Sequence, residues 1–125
     1  MTVGRRRTLA GLASFFLYLG IFATSSIPAA KLPQKIPDII PHFCAYALMA
    51  FFLVHAFREP GSCKTLAIAF LGLTLLGFFD ELHQSFVPGR HRSLKDLLFD
   101  LAGSAAGLLF SYWLASRTAK LRQGN

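Results

Sequence analysis

Residues 65–114 read TLAIAFLGLTLLGFFDELHQSFVPGRHRSLKDLLFDLAGSAAGLLFSYWL, and this stretch decides the fold. An uncharged apolar run from Thr65 to Phe79 is followed by Asp80, Glu81, His83 and Gln84. Val87-Pro88-Gly89-Arg90 comes next, and a second apolar run extends from Leu94 to Leu114. A helix that spans a bilayer needs about 20 mostly apolar residues, and both runs are of that order. Pro followed by Gly suits the central positions of a type II turn, where Gly supplies the positive φ. Ser93-Leu94-Lys95-Asp96 has the form of a capping box that opens the second helix. The stretch predicts two antiparallel transmembrane helices, over 65–87 and 94–114, joined by a tight turn.

Working outward, the same pattern occurs twice more. An apolar run over 9–27 follows Arg5-Arg6-Arg7, and another over 39–57 closes at Arg58-Glu59-Pro60-Gly61. Asp38 can cap the second run, and Pro41 is tolerated because a first helical turn lacks internal N–H partners. The prediction is an all-α polytopic membrane protein of four transmembrane helices in one domain, with its motif-bearing part over 38–107. A basic start, an apolar stretch and the small residues at Ser25-Ser26 also describe a cleavable signal peptide, so the first run carries that alternative.

Composition agrees. The chain has 125 residues, 54% of them hydrophobic, 13 of them Phe, and only 15% charged. Its mean hydropathy is +0.48. One soluble domain of this size could not hide so much apolar surface. The net charge of +7 comes from basic residues that flank apolar runs, so it argues for orientation signals and against nucleic acid as a partner. Cys44 and Cys63, with helix between them, stand about 28 Å apart, too far for a disulfide. No metal-ligand spacing surrounds either one, and no cofactor is expected.

With the N-terminus inside, the inner segments hold Arg5, Arg6, Arg7, Arg58, Lys64, Arg117, Lys120 and Arg122. The outer loops hold Lys31, Lys35, Arg90, Arg92 and Lys95. Eight against five predicts both termini in the cytoplasm.

Five of the six acidic residues then gather toward the outer face: Asp38, Asp80, Glu81, Asp96 and Asp100. Asp80 and Asp100 each lie about 10 Å below the turn, at similar depth, with His42 near the same level. Ionisable groups at such depth are costly in lipid and should face the bundle interior or a wet cleft. Asp80 and Gln84 share one side of their helix. Asp96, Asp100, Gly103, Gly107 and Ser111 form one stripe whose inner part is a Gly-x-x-x-Gly, the small-residue surface that lets helices approach closely. Structural roles compete at several positions: Asp96 as the last residue of a capping box, Asp38 as an N-cap, and His42 as a simple partner of a carboxylate. His55, His83 and His91 lie off the stripe and read as incidental.

The order Asp38…His42-Phe43…Tyr46, Asp80-Glu81-x-x-Gln84, Pro88-Gly89-Arg90, Ser93, Asp96…Asp100, Gly103 and Gly107 resembles the VanZ-like membrane proteins. That family's pattern has an Asp-Lys pair before the His and Asp-x-x-x-Asn on the last helix. Here Ile39 stands in place of the Lys and Asp100 in place of the Asn, which removes a cation from the site and adds an acid. The family takes its name from a protein linked to low-level teicoplanin resistance. The resemblance therefore implies a role at the bacterial cell envelope, but no particular reaction.

Three classes of function fit these residues. The first is a binder of an anionic amphiphile, such as a lipid-linked envelope molecule or a lipoglycopeptide. Arg90 and Arg92 would hold its head group with help from Asp38, Gln84 and Asp96, and the apolar helices would take its tail. The second is a hydrolase or transferase in which Asp80, Glu81, His42 and Asp100 share general acid and base work, since crowded carboxylates do not all ionise together. A divalent metal on His42, Asp80 and Glu81 would be a variant of it, without a recognised ligand spacing. The third is a proton-coupled transporter, which buried acids also signal. Membrane lipids are expected partners in each, and the oligomeric state is open.

Overall fold

A computed structural model describes residues 2–31 and 39–123. All regular elements of the described chain are helical, with α1 over Val3–Ser25, a short 3-10 turn over Ala29–Lys31, α2 over Ile39–His55, α3 over Cys63–Gln84 and α4 over Leu94–Gln123. Three of these, α1, α3 and α4 through Leu121, are long and apolar enough to cross a membrane. At 17 residues α2 is shorter, though the most apolar of the four by composition.

Helix bounds differ from expectation by three residues or more at three ends, each for a local reason, and by two residues at three others. α1 begins at Val3, so Arg5-Arg6-Arg7 form its first turns; the Thr2 hydroxyl accepts from the Arg5 N–H at 3.4 Å and caps it. α3 stops at Gln84 because Pro88 disfavours helical backbone before it; residues 85–87 instead make tight turns, with Phe86 N–H donating to the His83 carbonyl and Val87 N–H to that of Gln84. α4 runs nine residues past Leu114, through mostly strong helix formers that meet no Gly or Pro until Gly124. The Pro88-Gly89 turn is type II as expected: Arg90 N–H donates to the Val87 carbonyl at 3.0 Å, and Gly89 has φ 75°. The Asp38 cap lies outside the described residues.

Packing centres on α2 and α4, the most extensive helix pair. It is possible because α4 presents Gly103 and Gly107 to the α2 backbone. A Cβ on Gly103 would fall on the Phe43 carbonyl, and one on Gly107 on the Ala47 carbonyl. α1 lies on α2, where the Ser14 hydroxyl donates to the Met49 carbonyl at 3.2 Å, and α3 closes the bundle against α4.

The apolar core is small: Ile21, Tyr46, Met49, Ala50, Val54, Ala69, Leu73 and Leu108. Large side chains such as Phe16, Leu71, Leu75, Phe79 and Leu109 face outward instead, each more than half exposed or close to it. Meanwhile Asp80, Glu81, Gln84 and Asp100 are buried. Apolar groups outside and charged groups inside describe a protein whose solvent is lipid.

Candidate functional site

At one end of the bundle converge the C-terminal ends of α1 and α3 and the N-terminal ends of α2 and α4. Antiparallel packing therefore brings Ser25, His42, Asp80, Glu81, Gln84, Ser93 and Asp100 into one region. The group has two halves.

In the first, Asp80 is fully buried and held from two helices. The Ser25 hydroxyl donates to its Oδ2 at 2.8 Å, and Gln84 Nε2, one turn along α3, donates to the same oxygen at 3.0 Å. Arg90 stands behind Gln84. Its Nη1 donates to Gln84 Oε1 at 3.4 Å, its Nε to the Ile27 carbonyl at 3.2 Å and its Nη2 to the Thr24 carbonyl at 3.1 Å. The guanidinium thus satisfies carbonyls at the negative end of α1, where a cation is favoured by the helix dipole. Arg90 holds the bundle together; it is Arg92 that remains exposed at this turn.

The second half pairs α2 with α4. His42 Nδ1–H donates to Asp100 Oδ1 at 2.9 Å. Asp100 is 1% exposed, whereas the His42 side chain keeps 11%. The other Asp100 oxygen rests against Gly77 of α3, where a Cβ would come within 3.3 Å of it. Glu81 lies beside this pair. Its Oε2 accepts from the Ser93 N–H at 2.7 Å. That contact revises the capping box: the Ser93 hydroxyl does accept from Asp96 N–H at 3.2 Å, but the reciprocal acceptor is Glu81 of α3, not Asp96. Asp96, half-buried, is left without that structural duty.

The halves lie within electrostatic reach of one another. Asp80 and Glu81 are consecutive on α3, and Gly77, one turn before Asp80, lies against Asp100 of the other half. Three carboxylate oxygens, Asp80 Oδ1, Glu81 Oε1 and Asp100 Oδ2, are buried without a hydrogen-bond partner among the described residues, as are the hydroxyls of Tyr46 and Ser104. Buried polar atoms are normally paired, so these orphans mark the polar part of the bundle as the candidate site. No set of three or more His, Cys, Asp or Glu arranged to hold a metal ion occurs among the described residues.

His42 also borders a groove between α1 and α2 of about 350 Å³, lined by Phe16, Leu17, Ile21, Thr24 and Ala45 among others. The interior carboxylates thus meet the apolar exterior at one imidazole.

Comparison with protein families matches residues 11–115 to the VanZ/LLP1 family. The chain belongs to that family. No curated protein and no solved structure matches it. Membership and the apolar helices together make it a VanZ-like membrane protein. The matched span takes in α1 from Gly11 onward, so the family segment includes Ser25 as well as the motifs on α2, α3 and α4.

Reading the sequence left two contributors out. In the sequence Ser25 reads as the end of a span or as a small residue of a signal peptide, although a Ser-Ser pair at the depth of Asp80 is a signal that points to it. Tyr46 belongs to the family pattern without a role in the sequence reading; it is one helical turn from His42, fully buried, and its hydroxyl has no hydrogen-bond partner among the described residues. The three remaining histidines sit apart from the carboxylates. His55 bonds the Phe51 carbonyl at 2.6 Å, His83 stacks on Phe22 and meets the Ser26 hydroxyl, and His91 is exposed.

Proposed function

We propose that this VanZ-like protein is a membrane-embedded acid–base catalyst, a hydrolase or transferase acting on a lipid-linked molecule of the bacterial envelope. The His42–Asp100 pair carries the reading. A buried carboxylate on Nδ1 fixes the tautomer and orientation of an imidazole and leaves Nε2 to exchange a proton with a substrate. The apolar groove beside His42 offers room for an acyl or prenyl chain whose head group would then lie at the imidazole. Among the described residues no Ser, Thr or Cys bonds His42, so the nucleophile in this scheme is water or a substrate hydroxyl. In this scheme His42 takes its proton as the new bond forms, and Glu81, one of whose oxygens has no partner among the described residues, returns a proton to the leaving group as its bond breaks. The lysine and arginine distribution favours both termini in the cytoplasm, with the site toward the outer leaflet of the inner membrane.

A second reading is binding without turnover. It is favoured by Arg92 and Lys95, exposed cations at the same end that make no ion pair among the described residues. They would hold an anionic head group, a lipid-tailed glycopeptide antibiotic included. Screening purified protein in nanodiscs against lipid-linked phosphates and glycans, for both binding and product, separates the two. Catalysis requires that Asp100→Asn abolish product while binding survives. Should wild type bind a panel member without product and lose it in Arg92→Ala, the catalytic reading fails and the binding one stands.

A further inference from the structure

The end of the bundle opposite the carboxylates holds a cavity of about 500 Å³ between the start of α1, the segment after α2 and the later turns of α4. Arg6, Arg7 and Arg58 line it together with apolar Phe57, Pro60 and Leu114. No acidic residue contributes to the lining; Glu59, next to Arg58, is exposed outside it. None of the three arginines makes an ion pair among the described residues. Orientation signals alone need only to be present in a flanking loop. Here two come from α1 and one from a separate segment, and close packing draws them together: Gly11 of α1 meets Ala56, and Gly61 meets Ala115 of α4.

We propose that this cavity binds the head group of an anionic phospholipid. Guanidinium groups suit bidentate contact with phosphate oxygens, and basic pockets between membrane helices are where anionic head groups settle. The apolar part of the lining suits the first carbons of the acyl chains, which favours a lipid over a free anion. The site is independent of the His42–Asp100 chemistry, being formed by the other ends of the same helices.

Native mass spectrometry of the full chain in detergent tests this, with dioleoyl-phosphatidylglycerol and dioleoyl-phosphatidylcholine as probes. Wild type should retain one phosphatidylglycerol in preference to phosphatidylcholine. Arg58→Gln should weaken that retention about fivefold, and the triple Arg6→Gln/Arg7→Gln/Arg58→Gln variant on the order of a hundredfold. Lys64→Gln, a cation at the same end but outside the lining, should leave it unchanged. Circular dichroism checks folding, and if the triple variant unfolds, the single Arg58→Gln decides. Equal retention of the two lipids by wild type would overturn the proposal. So would undiminished phosphatidylglycerol binding in Arg58→Gln, or displacement of the lipid by inorganic phosphate.

Discussion

The Phe43 carbonyl oxygen occupies the space that a side chain on Gly103 would need. Phe43 follows His42, and Gly103 is one turn beyond Asp100, so one of the two close backbone approaches between α2 and α4 lies beside the His42–Asp100 contact. The small residue is what lets the imidazole of one helix reach the carboxylate of the other.

Gly103→Ala should therefore destabilise the protein by about 1–3 kcal/mol, the usual cost of overpacking a well-filled contact. Gly72→Ala, where a Cβ meets nothing, serves as control. Thermal unfolding in detergent followed by circular dichroism gives both values. Equal stability of the two variants would mean that α2 and α4 are not so closely apposed.

The tautomer of His42 follows from its bond to Asp100. Imidazole nitrogen chemical shifts of selectively labelled protein should report a protonated Nδ1 in wild type. In Asp100→Asn that preference should weaken or invert, since an amide can donate where a carboxylate only accepts. An unchanged pattern would show that the pair does not hold.

Arg90 should behave as a structural residue. Its three guanidinium nitrogens all donate to protein oxygens, two of them on carbonyls at the end of α1. Arg90→Ala should cost roughly 2–4 kcal/mol, as expected for loss of hydrogen bonds from a charged donor. Arg90→Lys should recover less than half, because an ammonium cannot span the same three acceptors. Thermal unfolding of the two variants measures it; a stability loss below about 0.5 kcal/mol, the range of ordinary surface changes, would contradict the assignment.

Ser25→Ala removes the hydroxyl donor of Asp80 while Gln84 remains. Withdrawing one partner from a buried carboxylate should cost about 1–3 kcal/mol. Adding Asp80→Asn should give back part of that loss, because an uncharged group tolerates burial better. A double-mutant cycle on unfolding free energies reads the coupling, and strict additivity would show that the two side chains do not meet.

Much of this architecture could be read from the chain before any coordinates. The 65–114 stretch yields two helices and a type II turn because apolar length, Pro-Gly and the small-residue stripe are local signals. The carboxylates announce themselves because acids are rare in apolar runs. What escaped reading is tertiary. Ser25 looks like any hydroxyl at a helix end, and only the packing of α1 shows that it serves Asp80. Arg90 has the charge of a head-group ligand, but its acceptors lie 63 and 66 residues earlier in the chain. Glu81 replaces Asp96 in the capping of α4 because the turn folds α3 onto the helix start, a proximity that the Ser93–Asp96 spacing cannot express.

The tie between Arg90 and the end of α1 also bears on biosynthesis. Because a chain emerges from its N-terminus, α1 is made well before the residue that secures its last carbonyls, and Ser25 waits for Asp80 across 55 positions. The first helix can dock on the second early, through Ser14 and Met49. Its far end acquires its partners only when the turn after α3 has been translated. A nascent chain stalled before residue 90 would hold the carboxylate of Asp80 but not the arginine that braces its neighbours, leaving the polar end of the protein as the last part to mature.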